Sequence, residues 1–228
     1  MSRFEKIKED KTIIEIYNRI SEFEDLDKGW AHHNLEHVNN VAKLVEDLLS
    51  QLHYDDNFIE EAKIAAILHD VGAIEGKNDH ALRSYNFAKE YLEENHIILE
   101  NKELVLEAIK IHSNGFDSDN IIALVLILSD KLDIKYTRIA KEGYNVKGMR
   151  ELQYIQDILI NIYSKKLVIQ FLCDERINKK DLEEFYFTMK VFKGIVAFAN
   201  KMNLTAKVLF NDEEWQLFNS IRTTVLIR

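Results

Sequence analysis

Residues 65–72, with the sequence AAILHDVG, constrain the fold of this chain more than any other segment. Four apolar residues run directly into His69 and Asp70, and Gly72 follows two residues later. Burying an unpaired carboxylate is costly, so such groups are normally paired or bound to a metal. The segment therefore predicts the buried end of a helix whose two polar side chains lie against a partner group.

The composition favours a helical protein. The chain has 228 residues, no proline and seven glycines, with 46% hydrophobic and 30% charged residues. Long helices with short connections suit such a chain better than a turn-rich β fold. The length suits one large domain, or one domain with a smaller appendage.

Charge and cysteine content narrow the class of partner. The net charge of −9 argues against a nucleic-acid-binding surface, which normally has a basic excess. The single cysteine, Cys173, cannot form an internal disulfide, and the longest apolar run, residues 121–128, is too short to span a bilayer. The N-terminus is charged from Arg3 onward and has no signal-peptide core. We therefore expect a cytoplasmic protein that binds neither nucleic acid nor membrane; a homodimer is left open.

Apolar residues recur at helical spacing through the first part of the chain, which predicts a series of amphipathic and buried helices. Short polar residues precede most of these segments, where their side chains can accept hydrogen bonds from the first backbone N–H groups. The residues expected to cap or open successive helices are Asn34, Asp55 or Asp56, Asp79, Asn101, and Ser118 or Asp119.

The pattern changes after about residue 145. Residues 150–163 still predict a helix, whereas residues 167–172 and 206–210 predict strands. Between the two strands, residues 180–201 predict one amphipathic helix with a phenylalanine-rich stripe, which we interpret as core or interface.

These patterns predict a mainly α protein in two parts. Residues 1–145 are expected to form a helical bundle, and residues 146–228 a small α+β appendage with a strand–helix–strand arrangement. The tail that follows Asn211 is predicted to be a helix capped by that residue. We expect the appendage to pack on the bundle, because no linker composition separates the two parts.

Several helices of the bundle begin or end with a side chain that can bind a metal. In an antiparallel bundle, alternate helix ends meet at one pole, so these side chains can converge there. Imidazole and carboxylate together suit Zn, Mn, Fe or Co. Chemistry alone thus indicates a metal site. The candidate ligands are His37, His69, Asp70, His80, His112 and Asp130.

At this point the sequence resembles the HD superfamily of metal-dependent phosphohydrolases, whose minimal pattern is H…HD…D. The flanking residues agree, because ILHDVG at 67–72 and SDKLD at 129–133 resemble the family's settings for these ligands. The resemblance covers about residues 28–140 and implies an HD-type helical bundle. Residues 33–37 also resemble the H-D-x-x-H opening of the family, with Asn34 in place of aspartate. The residues that match the minimal pattern are His37, His69, Asp70 and Asp130.

Two further histidines resemble the dinuclear members of that superfamily, which carry H…HD…H…H…D. His80 and His112 match the additional positions, and AIKIHSNG at 108–115 resembles an A-I-x-x-H-x-x-G stretch. The resemblance implies that Asp70 bridges two metals. It assigns His37, His69 and Asp130 to one ion, and His80 and His112 to the other.

The cofactor implied is one or two divalent transition-metal ions, namely Mn, Fe, Co, Ni or Zn, with Mg as a further option. Two such ions suit hydrolysis of a phosphoester or phosphoanhydride. A mononuclear site would not need His80 and His112, and these two residues would then be structural.

The resemblance and the position of the residues suggest roles around the metals. Asp70 and Lys131 are the catalytic candidates, although Lys131 is equally compatible with an ordinary surface charge. Candidate substrate contacts come from positive or polar residues near the ligands, and His33 could instead cap a helix. These candidates are His33, Lys77 and Arg83, with Arg138 as a further cation that could contact phosphate.

The sequence leaves two functions open. The first is a metal-dependent phosphohydrolase acting on a small phosphorylated compound, with a nucleotide favoured. The alternative is a metal-bound nucleotide sensor without turnover, in which the C-terminal segment acts as an effector or a dimerisation surface. Ala73 replaces a lysine found in many members, and the G-Y-P motif of the cyclic-dinucleotide branch is missing from the sequence, so a cyclic dinucleotide is disfavoured.

Overall fold

The computed structural model describes residues 1–26 and 29–225, and in it the mainly α architecture is confirmed. Apolar residues at helical spacing form a bundle in which most neighbouring helices are joined by short loops. Residues 226–228 of the C-terminal segment lie outside the described residues. The helices of the bundle are α1 Arg3–Lys8, α2 Lys11–Leu26, α3 Leu35–Gln51, α4 Asp56–Leu68, α5 His80–Glu94, α6 Lys102–Ile111 and α7 Ile121–Leu132.

Helices α4 and α7 occupy the centre of the bundle. Their sequences are apolar on nearly all faces, which is stable only when neighbouring helices cover every face. The side chains of residues 64–68 in α4 are fully buried, and α7 is buried from Ile122 to Leu132. Helix α4 contacts α1, α3, α6 and α7, so the segment that ends in His69 and Asp70 is held rigidly.

The predicted caps are confirmed at two helices, and Asn101 opens α6 as predicted, whereas the starts of α5 and α7 differ from the prediction. The side chain of Asn34 accepts from the His37 N–H at 3.0 Å, and Asp55 accepts from the Phe58 N–H at 2.9 Å. Helix α7 is capped by Asn120 rather than by the two residues before it, through bonds to the N–H groups of residues 122 and 123. Asp79 and Asn101 stand before their helices but make no side-chain cap bond.

The C-terminal part consists of short 3₁₀ turns, a mixed four-stranded sheet and helices. The strands are β1 Ile155–Tyr163, β2 Lys166–Cys173, β3 Thr205–Phe210 and β4 Glu213–Glu214, and the helices are α8 Lys179–Glu184, α9 Tyr186–Lys201 and α10 Gln216–Val225. The strand order is β1-β2-β3-β4, with β2 and β3 parallel and the other pairs antiparallel. The parallel pair requires a crossover connection, and helices α8 and α9 supply it.

The helix predicted over residues 150–163 is wrong. A 3₁₀ turn, Met149–Tyr154, leads into strand β1, which pairs with β2 through a two-residue turn. The turn residues Ser164 and Lys165 both have positive φ, the conformation that favours a tight hairpin. Isoleucines at positions 155, 158, 160 and 162 fit a helical stripe and a strand equally well, and pairing with β2 decides between them.

Two other predictions need correction in this part of the chain. The helix predicted over residues 180–201 is interrupted at Phe185, which has extended backbone with φ −71° and ψ 122°. Asn211 does not cap the tail helix: its side chain accepts from the Cys173 N–H at 2.7 Å, and β4 intervenes before α10 begins. A polar residue at the end of a strand can serve the sheet as readily as a helix.

Contacts between the two parts bring the C-terminal segment close to the end of α7. Helix α9 packs on α7, where a Cβ added at Gly194 would lie 4.0 Å from the Leu128 Cα. The Gln51 side chain at the end of α3 bonds to the backbone of residues 160 and 162 in β1. Among the described residues, no helix has the length and apolarity needed to cross a membrane.

Candidate metal centre

The six predicted ligands converge at one end of the bundle. His37 lies in the first turn of α3, His80 begins α5, and Asp130 lies in the last turn of α7. The chain leaves α4 directly into His69 and Asp70, and it leaves α6 directly into His112. The helix ends position the ligands, because each ligand is attached to a rigid, buried element.

One group of four ligands surrounds a common point. Atoms of His37, His69, Asp70 and Asp130 lie within 4.8 Å of one another. The His37 Nε2 is 3.4 Å from the nearest oxygen of each carboxylate, and the His69 Nε2 is 3.1 Å from Asp70 Oδ2. Two imidazoles and two carboxylates at such distances form a set of donors suited to a divalent ion.

A second group of three shares Asp70 with the first. The His80 Nε2 is 3.4 Å and the His112 Nε2 3.5 Å from Asp70 Oδ1. The first group faces the other oxygen, Oδ2, of the same carboxylate. Asp70 therefore presents one oxygen to each group, as a carboxylate that bridges two ions would.

The outer nitrogens of the four histidines fix which nitrogen faces inward. In His69, His80 and His112, the Nδ1 atom lies 2.7 Å from the carbonyl oxygen of the residue three positions earlier. A carbonyl can only accept, so each Nδ1 carries a proton and the lone pair of the neutral ring lies on Nε2. The Nε2 atoms of His80 and His112 are 3.0 Å apart, a close approach that needs a cation or a proton between them.

The buried polar atoms fit a metal site. Nε2 of His37, Nε2 of His69 and Oδ2 of Asp70 are buried and have no hydrogen-bond partner among the described residues. Native proteins rarely leave buried polar atoms unsatisfied, and each one costs about 1–3 kcal/mol. Bound cations would satisfy these atoms together, and the mixture of imidazole and carboxylate suits transition-metal ions.

In the metal-free protein, the carboxylates shift the protonation of the histidines. Burial alone would lower the pKa of His69, but Asp70 and Asp130 outweigh it and raise that pKa to about 10. Burial opposes ionisation of Asp70, yet the imidazoles of His69 and His33 hold its pKa well below the ordinary value. The raised pKa favours a second proton, on Nε2, in the metal-free protein, and a metal ion that binds Nε2 would displace that proton.

Asp133 contacts the outer nitrogen of His37, on the side of the ring away from the candidate metal ligands. Its Oδ2 lies 2.7 Å from the His37 Nδ1, and its Oδ1 accepts from Asn40 at 3.2 Å. Sequence reasoning included Asp133 in the matching stretch but gave it no role. The signal was its spacing, since a residue three positions after Asp130 falls on the same helix face.

Replacing Asp133 with asparagine is expected to weaken metal binding about 10- to 100-fold, because it removes the negative charge that orients and polarises His37. Competition with a chelator would measure the affinity. Asp117→Asn, at an exposed loop carboxylate, is the matched control and is expected to leave the affinity unchanged. Equal affinities for the two variants would contradict the role of Asp133.

Gly72 sets the distance between Asp70 and His80. An added Cβ at Gly72 would lie 2.4 Å from the His80 carbonyl oxygen and 2.6 Å from the Ser84 N. The Gly72 N–H also donates to Ser84 Oγ at 2.9 Å. Only a residue without Cβ allows α5 to approach this closely, so Gly72 brings His80 to the second group.

Gly72→Ala is expected to push α5 away and remove His80 from the second group. The metal content should then fall toward one ion per chain, and stability should fall by about 1–3 kcal/mol through overpacking. Metal analysis and urea denaturation would measure the two effects. Gly194→Ala, where an added Cβ meets only ordinary contacts, is the control. Unchanged metal content in Gly72→Ala would contradict this role.

The other predicted site residues lie around the cluster in different situations. The Lys131 Nζ donates to Asp130 Oδ2 at 2.5 Å, so this buried lysine neutralises a candidate ligand, and a catalytic role stays a prediction. Arg83 donates hydrogen bonds to the carbonyls of residues 72, 76 and 78, so its guanidinium stabilises the loop that follows Asp70. Contact between Arg83 and substrate also stays a prediction, although those bonds occupy its donors.

His33 lies beside the cluster, with its ring centroid 5.8 Å from that of His37. Its Nδ1 contacts Glu24 Oε1, and its backbone N–H donates to Glu24 Oε2 at 2.8 Å. Burial raises the pKa of Glu24 to about 7, while the His33 N–H, Lys77 and Arg138 oppose that rise. Sequence reasoning did not find Glu24, because its partner lies across a loop and no spacing rule connects them.

A cavity of about 330 Å³ opens beside the first group. Predicted contacts His33 and Lys77 line it, together with Arg138, whose Nη2 lies 3.8 Å from Asp130 Oδ1. Another wall comes from the C-terminal segment, which the sequence analysis interpreted as core or interface, or as the effector of a sensor. The lining residues of that wall are Met149, Leu152, Phe185, Tyr186 and Phe187.

Comparison with known proteins agrees with the position of the cluster. The family model described as HD domain matches residues 34–135, a range that includes all six candidate ligands. No curated protein matches the chain.

Proposed function

Because residues 34–135 form an HD domain, a family typical of metal-dependent phosphohydrolases, we propose that this protein hydrolyses a small phosphorylated compound and that a nucleotide is the substrate. The proposed metal ligands are His37, His69, Asp70, His80, His112 and Asp130.

The observation that carries this proposal is the orientation of the four imidazoles around Asp70. Each outer nitrogen is held by a carbonyl or a carboxylate, which leaves the inner nitrogens directed at the two oxygens of one aspartate. Such a site is built to hold cations. A purely structural core would gain nothing from burying these groups without partners.

The chain's own residues would bind and orient the substrate next to these ligands. Divalent ions bound there would supply Lewis-acid polarisation of a phosphoryl oxygen and a water of lowered pKa. Arg138 and Lys77 line the cavity beside Asp130 and would neutralise the charge of the phosphate. Lys131 would hold Asp130 in place through its 2.5 Å bond.

A panel assay tests the proposal. The full-length protein, loaded in turn with Mn²⁺, Fe²⁺, Co²⁺, Ni²⁺ or Zn²⁺, is incubated with nucleoside mono-, di- and triphosphates and with β-glycerophosphate. Release of phosphate or of a smaller nucleotide with at least one metal is expected. Activity should be lost in His69→Ala and kept in His53→Asn, because His53 is exposed and its positive φ tolerates asparagine.

The competing function predicts a different outcome of the same assay. A sensor would bind a nucleotide tightly without turnover, and binding would change its oligomeric state. Absence of hydrolysis across the whole panel, with every metal, would overturn the proposed phosphohydrolase. Activity that survives unchanged in His69→Ala would overturn the assignment of the site.

A further inference from the structure

The cavity beside the cluster has walls from both parts of the chain, and its two sides differ in chemistry. Trp30, His33 and Arg138 come from the bundle and the turn that follows it. Phe185, Tyr186 and Phe187 come from the C-terminal segment. The family match ends at residue 135, so these three aromatic residues lie outside the matched domain.

The C-terminal wall is a cluster of three consecutive aromatic residues at the break between α8 and α9. Phe185 and Tyr186 meet edge to face, with centroids 4.9 Å apart, and Tyr186 and Phe187 also meet edge to face at 6.3 Å. Gly148 permits this arrangement, because an added Cβ there would lie 2.5 Å from the Phe185 Cβ. The close approach of Gly148 to Phe185 and the contacts between neighbouring rings therefore hold these aromatic side chains in place.

Two of the aromatic side chains that line this cavity are largely exposed. Trp30 is 45% exposed and has no aromatic or cationic partner among the described residues. Tyr186 is 57% exposed; it meets its two neighbouring phenylalanines edge to face, and the Lys190 Nζ lies 5.7 Å from its ring centroid. Each of the two rings therefore keeps exposed surface. Planar rings stack on such faces, and a stacked base contributes about 1–3 kcal/mol to nucleic-acid binding by alanine substitution.

The bundle side of the cavity supplies a buried cation. Arg138 is only 6% exposed, and its Nη1 is buried without a hydrogen-bond partner among the described residues. Its other terminal nitrogen lies 3.8 Å from Asp130 Oδ1, so the guanidinium stands between the cavity and the candidate metal ligands. A buried donor without a partner is costly, and a phosphate oxygen would satisfy it.

Backbone pairing holds Trp30 and Arg138, which both belong to the bundle side of the cavity, next to each other. The backbone N–H of His32 donates to the Arg138 carbonyl at 2.9 Å, and the Ala140 N–H donates to the Trp30 carbonyl at 3.0 Å. Trp30 and Arg138 therefore keep a fixed separation. On the C-terminal side, the Phe187 ring centroid lies 6.0 Å from the Nζ of Lys131, which bonds to Asp130.

We propose that this cavity selects the substrate by stacking one aromatic ring on Tyr186 and Trp30 while Arg138 holds the phosphate attached to it. The proposal rests on the proposed phosphohydrolase function and narrows its substrate to phosphates of a single nucleoside. A volume of about 330 Å³ lies at the small end of ligand pockets, which favours one nucleoside over two. Tyr186 is thereby a specificity-determining residue supplied by the appended segment.

Binding to the metal-free, full-length protein tests this site without turnover. Calorimetric titrations use adenosine 5′-monophosphate, uridine 5′-monophosphate and ribose 5-phosphate as probes. The wild type is expected to bind each nucleotide about tenfold or more tightly than the sugar phosphate, because only the nucleotides have a ring to stack.

Variants separate the ring from the phosphate. Tyr186→Ala should raise the Kd of both nucleotides about tenfold and leave that of ribose 5-phosphate within about twofold. Tyr163→Ala is the matched control, since Tyr163 is 56% exposed and does not line the cavity, and it should change neither. Arg138→Gln should weaken all three probes, because each carries the phosphate.

The outcomes distinguish the site from the proposed activity. Nucleotide binding that equals sugar-phosphate binding, that Tyr186→Ala leaves unchanged, or that cannot be detected in the wild type would overturn the site. Nucleotide binding sensitive to Tyr186, with no hydrolysis by the metal-loaded protein, would support the site and overturn the phosphohydrolase. Hydrolysis in which KM for nucleotides does not respond to Tyr186→Ala would leave the phosphohydrolase standing and overturn the site.

Discussion

Replacing Asp70 with alanine is expected to abolish hydrolysis and to remove tightly bound metal altogether. Asp70 is shared by both groups of ligands, with Oδ2 facing His37 and His69 and Oδ1 facing His80 and His112. No other carboxylate among the described residues is shared between the two metal-capable groups. Loss of about 4 kcal/mol of transition-state stabilisation corresponds to a roughly 10³-fold fall in kcat/KM, and we expect at least that.

The controls separate loss of the site from loss of the fold. Asp117→Ala removes an exposed carboxylate from a loop and should retain both metal and activity. Circular dichroism should be the same for both variants, because Asp70 lies at the end of α4 rather than within its core. If Asp70→Ala retained two ions per chain, the bridging role would be wrong. If it retained activity, the site would lie elsewhere.

The largest effect on stability is expected from Glu61, which is fully buried on α4. Its carboxylate accepts from the backbone N–H groups of Glu100 and Asn101 at 2.7 and 2.8 Å, and from the Asn101 side chain at 2.9 Å. Arg3 donates to it at 3.1 Å. One carboxylate therefore joins α1, α4 and the start of α6, which lacks a side-chain cap of its own.

Glu61→Ala is expected to lower the free energy of unfolding by about 3 kcal/mol or more. The two backbone donors are left without partners, at roughly 1–3 kcal/mol each. The midpoint of urea denaturation should fall with an unchanged m-value. Glu90→Ala, at an exposed position on α5, should change the free energy of unfolding by no more than about 0.5 kcal/mol. Equal midpoints for the two variants would mean that Glu61 does not hold α6 in place.

The candidate ligands could be predicted from sequence because their signal is local and chemical. Each stands at the boundary of an apolar helix, and a polar residue there needs a reason. The sequence could not say which oxygen of Asp70 faces which histidines, since that depends on how the loop at Gly72 packs on α5. The role of Glu24 could not be predicted either, because its contact with His33 depends on tertiary structure and not on a regular helical spacing.

The C-terminal segment was less predictable because its patterns are ambiguous. Residues 155–162 fit a helix and a strand alike, and the choice depends on strand β2, which follows in sequence. The phenylalanine-rich stripe was interpreted as core or interface, and Phe192 and Phe198 are indeed buried. Phe185 is buried as well, but the helix breaks there, and Phe185 lines the cavity together with the next two aromatic residues.

The central claim is that one aspartate joins two metal-binding groups, and metal stoichiometry tests it most directly. The purified protein, loaded with Mn²⁺ and freed of weakly bound ions by gel filtration, is analysed by inductively coupled plasma mass spectrometry together with the double variant His80→Ala/His112→Ala. The wild type should contain two ions per chain and the double variant one. A wild type that holds a single ion, or a double variant that still holds two, would contradict the claim.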